Sequence, residues 1–305
     1  MIHQRIICCY LYTITRYGYP PKAGNTLTYL KEFKDLGFTS VELEGIREQH
    51  LSKIYDMREH IRAETESLNL TIPYFCAVLP GLSSSDSGKR ERNLKLFEKG
   101  CQIASHLGSL GILDNAPLPP YTFPGDIPIV RHYDELSLKR ARFPTDLNWN
   151  SYWQDLTVTY REACDIADSY SLTYQIHPAH GVLASTTDAF LYFKDAVGRD
   201  NLRFNFDTAN QFYLKDQLML SLRRLAEHID YIHLSDNSGL RVEHLPMGKG
   251  SIPWEAFFET LHKIGFDGHF GIDIGGAETP IDNLEEAYQH AADFVSQNWD
   301  ALLYV

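Results

Sequence analysis

Eight short apolar runs, each bounded by turn residues and each followed by a helical pattern, constrain this chain more than any other feature. The runs are Ile6–Tyr10, Ser40–Leu43, Thr71–Val78, Ser109–Leu113, Leu172–Ile176, Leu202–Phe206, Tyr231–Leu234 and Phe270–Ile274. Helical periodicity fills the gaps at Leu27–Leu36, Leu51–Leu68, Lys89–Leu107, Tyr152–Tyr170, Thr187–Val197, Leu218–His228, Trp254–Ile264 and Leu284–Asn298. Such alternation predicts an α/β chain with a parallel sheet closed on itself. A (β/α)8 TIM barrel usually takes roughly 250 residues plus insertions, so the 305 residues read as one domain. A doubly wound open sheet would carry a Gly-rich phosphate turn after its first strand, and residues 15–26 (TRYGYPPKAGNT) are no such turn.

One stretch breaks the rhythm. Asp114–Asn148 contains Pro117, Pro119, Pro120, Pro124 and Pro128, and follows the fourth run. A loop of this length inside a compact domain is usually functional or disordered. Its position predicts a lid on the face where the strands end, or an arm joining the subunits of a homo-oligomer, with a short helix around Tyr133–Lys139.

Composition excludes several classes. A net charge of -12 leaves no dense basic face, so nucleic acid is not an expected partner. No run reaches the ~18–20 apolar residues that span a bilayer. Arg5 interrupts the apolar opening, which reads as a first strand and not a signal peptide. A cytoplasmic location is therefore expected, and the five cysteines, with no CxxC pair, are expected to be core residues in a reducing compartment.

The second half carries the chemistry. Four late runs end in metal-capable residues: Gln175, Asp207, His233 and Asp273. Parallel strands bring their C-terminal ends to one face, so these four are expected to converge on a divalent cation (Mn2+, Mg2+, Co2+ or Zn2+).

Over most of its length, and most strongly from Leu172 to Gly275, the chain resembles the xylose isomerase-like TIM-barrel superfamily, the sugar phosphate isomerases and epimerases. FTSVELEG is similar to the opening strands of that family, and Gly248-Lys249-Gly250-Ser251-Ile252-Pro253-Trp254 matches its Gly-x-Gly-x-(Ile/Val)-x-Trp segment. The resemblance implies a cation that stabilises an enediolate while a carboxylate takes the proton alpha to a carbonyl. It implies a small sugar as substrate, with Asp207 and His233 as ligands. Gln175 is read as standing where the family has Glu, and Asp273 where it has a final Glu. The four then carry a formal charge of two minus against three minus in the family, which predicts weaker metal binding.

An amide is no base, so the expected reaction is isomerisation or epimerisation of a keto sugar or polyol derivative with Asp273 as base and His177 as its acid partner. β-Elimination by a keto-sugar lyase on the same site is the alternative. A metal-free sugar-binding barrel is the rival outside enzymes, and an abasic-site endonuclease is disfavoured by the acidic charge. Asn210, Glu42, His180 and Arg241 are candidates for substrate contact. Asp236 and Asn237 are candidates for orienting His233, Tyr10 and Tyr12 for facing a sugar ring, and His244 is expected to be solvated.

Overall fold

The computed structural model describes residues 4–124 and 133–301. Its strands are β1 (Ile6–Cys8), β2 (Ser40–Ile46), β3 (Thr71–Val78), β4 (Gly111–Asn115), β5 (Thr173–His177), β6 (Leu202–Phe204), β7 (Phe206–Asp207), β8 (Tyr231–Leu234) and β9 (His269–Ile272). All neighbouring strands pair parallel, in the order β6-β5-β4-β3-β2-β1-β9-β8-β7. The two end segments are halves of the sixth predicted run, split at Asn205. The half before Asn205 pairs with β5 and the half after it with β8, so the eight predicted runs make a nearly closed TIM barrel.

Helices at all eight predicted periods pack around it, and the short helices Leu11–Tyr17 and Thr208–Tyr213 are additions that no predicted period covers. Thr187–Val197 and the start of Trp254–Lys263 fall where periodicity places them, and Thr186 Oγ1 caps the first by accepting from Ala189 N–H. The apolar layer lies between strands and helices: Tyr174 on β5 stacks on Tyr160, and Phe270 on β9 meets Phe258. All five cysteines are buried, and none forms a disulfide. No helix among the described residues is long and apolar enough to cross a membrane.

The barrel axis is filled near the strand starts. Tyr74 and Tyr231 stack there at 4.1 Å with their planes 5° apart. Gly271 makes this possible, since a Cβ on it would lie 2.6 Å from the Tyr231 hydroxyl and 2.5 Å from Cys9 Sγ. Two tyrosine rings thus fill part of the barrel near the strand starts.

The Pro-rich arm takes shape in its described parts. Thr122 and Arg142 form an antiparallel bridge, and the expected short helix is Glu135–Arg140. Tyr121 donates its hydroxyl hydrogen to Gly181 O, tying the arm to the loop after β5. Pro128 lies outside the described residues.

Candidate active site

Asp207 ends β7 and caps the helix Thr208–Tyr213: its Oδ1 accepts from Asn210 N–H at 2.6 Å. That bond fixes the carboxylate and leaves Oδ2 buried, with no hydrogen-bond partner among the described residues. Its register partner on β8 is His233. His233 Nε2–H donates to Glu42 Oε2 at 3.1 Å, so Nδ1 is turned to the interior, 3.8 Å from Asp273 Oδ2. Asp273 follows β9 directly and is anchored by its own N–H donating to Leu234 O.

Two further histidines face this cluster. His177 closes β5 and donates from Nδ1 to Asn205 Oδ1 at 2.7 Å, which turns Nε2 to within 3.9 Å of Asp207 Oδ2. Asn205 donates its own amide hydrogen to Tyr231 O, so its oxygen is the atom that faces His177. His244 donates from Nδ1 to Glu278 Oε1 at 3.0 Å, and its Nε2 stands 3.9 Å from both Asp207 Oδ2 and Asp273 Oδ2. Each of the three imidazoles therefore gives its outer N–H to an oxygen and presents the other nitrogen to one centre, as outer hydrogen bonds do for metal-binding histidines.

The electrostatics match this geometry. Burial opposes a charge on His233, yet Glu42 and Asp273 outweigh it and push its pKa up to about 9. Burial raises the Asp207 pKa; His244 opposes that rise and Asp273 adds to it. Separations near 3.8–3.9 Å are too long for hydrogen bonds and suit atoms arranged around a cation. The ligand atoms of His177, Asp207 and His233, and those of Asp207, His244 and Asp273, lie within 4.8 Å of one another in each set. The space lined by Glu42, His177, His233 and Asp273 is about 20 Å³, room for an ion or a single water. The donor set fits a divalent cation.

Several expected residues are placed differently. Gln175 does not join the cluster: its amide donates to Thr173 Oγ1 and Asp230 Oδ1, both at the strand starts. β5 runs one residue past the end of the predicted run at Ile176, so the residue at its active end is His177. Glu42, only 2% exposed, accepts from His233 and from the Tyr231 hydroxyl and so orients the imidazole. Asp236 instead gathers the Gly-Lys-Gly segment, accepting from Gly248 N, Ile252 N and Trp254 Nε1. Asn237 bonds Arg241 O and Glu243 O.

Asn210 donates its amide hydrogen to Pro178 O and lies 3.5 Å from His177 Nε2, at the cluster edge. His180 packs edge-on to Tyr213 at the mouth, and Arg241, with its side chain 75% exposed, sits at the rim, paired with Glu243. Tyr10 and Tyr12 are core residues; Tyr12 packs on Phe33 and Tyr288. His244 was missed because its neighbours read as a solvated loop. The cue was its position between apolar Val242 and Leu245, whose backbone bridges Asp236.

A family model described as a xylose isomerase-like TIM barrel matches residues 30–298. The chain is 28% identical over 134 residues to an uncharacterised protein of Methanocaldococcus jannaschii, a match that covers 41% of this chain and 46% of that protein. It is 23% identical over 244 residues to a D-psicose 3-epimerase of Enterocloster bolteae, covering 79% of this chain and 73% of the relative. The structure of a 3-keto-D-glucoside 4-epimerase from E. coli superposes with a TM-score of 0.73 at 15% identity, over 97% of this chain and all (100%) of that one. That likeness concerns the fold.

Proposed function

Because the chain belongs to the xylose isomerase-like TIM-barrel family, we propose that it is a divalent-metal-dependent epimerase or isomerase of keto sugars. The observation that carries this reading is the inward turn of His233 and His244, each held by an outer carboxylate, onto Asp207 and Asp273. These four would hold the cation, with His244 in the role that the sequence suggested for Gln175. Two imidazoles and two carboxylates suit Mn2+, Co2+ or Zn2+ better than Mg2+. When bound, the ion supplies Lewis-acid polarisation of the substrate carbonyl.

Asp273 is the base: one oxygen faces the cluster, and the carboxylate can take the proton alpha to the carbonyl. His177 lines the same space and is the partner that returns a proton. A carboxylate and an imidazole replace a pair of carboxylates. His177 can equally protonate a leaving group, so dehydration remains the alternative outcome. In the described parts of the arm, Tyr121 reaches the loop after β5 and Tyr133 lines the cleft beside the cluster, where closing the arm would exclude water.

The test is incubation of the Mn2+-loaded protein with D-fructose, D-tagatose and D-psicose in D2O, followed by NMR. Deuterium at the carbon alpha to the carbonyl, lost on Asp273→Asn, is the expected result. Turnover without exchange at that carbon, or full rate in Asp273→Asn, would overturn it.

A further inference from the structure

Tyr19 lines three spaces: the one over His233 and Asp273, a cleft of about 740 Å³ that opens beside it, and a third of about 50 Å³ on the side of β3 and β4. The space over the cluster takes only an ion or a single water, so the reacting sugar must occupy the cleft. Val78 and Asn115, which end β3 and β4, are walls common to the third space and the cluster, and Tyr133 is common to the third space and the cleft. A sugar whose carbonyl lies at the cluster can therefore extend its far end into the third space. That space has room for roughly three to five waters, which suits a group of a few heavy atoms and not a second ring.

Two nitrogen-bearing side chains line it without partners. Arg47, the first residue of the helix Arg47–Leu68, is half-buried, and its guanidinium makes no hydrogen bond or ion pair among the described residues. The adjacent carboxylate, Glu48, is already taken by Arg92 at 2.5 Å. Arg47 also holds a φ of +56°, a left-handed conformation that costs any residue with a side chain and that recurs at ligand clamps. His180 adds a buried Nδ1 with no hydrogen-bond partner. The other described residues that line the space carry no charge. A half-buried guanidinium without a partner has lost hydration with nothing to offset it, and an oxyanion restores the balance through two parallel N–H···O bonds.

We propose that this third space receives a terminal oxyanion of the substrate, a phosphate or carboxylate at the end of the chain remote from the carbonyl, with Arg47 and His180 as its receptors. The proposal rests on the keto-sugar reading above. The free guanidinium sets the charge of the group, and the volume sets its size.

Calorimetric titration of the Mn2+-loaded protein with D-fructose, D-fructose 6-phosphate and D-fructuronate tests it. At least one of the two anions should bind about tenfold tighter than D-fructose, and which of them does so identifies the group as phosphate or carboxylate. Arg47→Gln should bring that anion to within about threefold of D-fructose, and Arg47→Lys, which keeps the charge but not the fork, should retain part of the gap. His180→Leu should narrow the gap severalfold. A gap that is unchanged in Arg47→Gln, or two anions that bind no tighter than D-fructose while D-fructose still exchanges deuterium, overturns the subsite alone. Absence of both binding and exchange with every probe overturns the keto-sugar reading and the subsite together.

Discussion

Gln175 and His177 stand two residues apart on one strand, both turned into the barrel, yet they serve opposite ends of it. The Gln175 amide points to Asp230 at the strand starts, while His177 Nε2 points to Asp207 at the strand ends. Gln175→Glu should therefore leave cation affinity unchanged. It should cost on the order of 2–4 kcal/mol of stability, because a second buried carboxylate would face Asp230, whose own pKa is already raised by burial. Urea titration and Mn2+ calorimetry on one variant check both halves, and tighter Mn2+ binding would show that the residue belongs to the centre.

Removing a ligand should act on the cation first. Asp207→Ala, His233→Ala and His244→Ala are each expected to abolish stoichiometric Mn2+, Co2+ or Zn2+ binding, whereas His177→Asn should retain the ion and the exchange of deuterium into substrate by Asp273 but form no epimer. Elemental analysis and calorimetry read the first effect, NMR the second. Loss of the ion in His177→Asn would move that residue into the ligand set.

Stability should fall as pH rises through a window set by Asp114. Burial raises its pKa from 3.8 to about 8, against hydrogen bonds from Leu79 N and Asn115 N. Below pH 3.8 both states hold the proton and the group contributes nothing. Between 3.8 and about 8 the unfolded chain releases a proton that the folded one keeps, so folding is increasingly penalised. Asp114→Asn keeps an acceptor for both backbone donors and should be the more stable protein above pH 5, by several kcal/mol near pH 8. Parallel denaturant curves for the two proteins at pH 4 and pH 8 supply the check, and an equal difference at both pH values would exclude the titration.

Gly250→Ala is expected to loosen the loop that carries His244. A Cβ there would sit 2.3 Å from Asp236 Oδ1 and 2.6 Å from the Asn237 backbone, and Asp236 is the acceptor that gathers Gly248, Ile252 and Trp254. A loss of about 2–4 kcal/mol in a denaturant titration is the expected result.

The chain's linear pattern determined the barrel and much of its active face. Alternating apolar periods place strands and helices within a few residues, and a polar residue after an apolar run marks where a strand ends; Asp207, His233 and Asp273 were legible this way. Tertiary structure decided which polar residue of β5 reaches the centre, because Gln175 and His177 share one face and only the packing across the barrel separates them. It also decided His244, brought in by a loop whose backbone is tied to the 275–279 turn through Gly275 and Thr279. Such contacts join residues distant in sequence, and no local period encodes them. The same holds for Asn205 and Glu278, whose roles consist of orienting a histidine on another element.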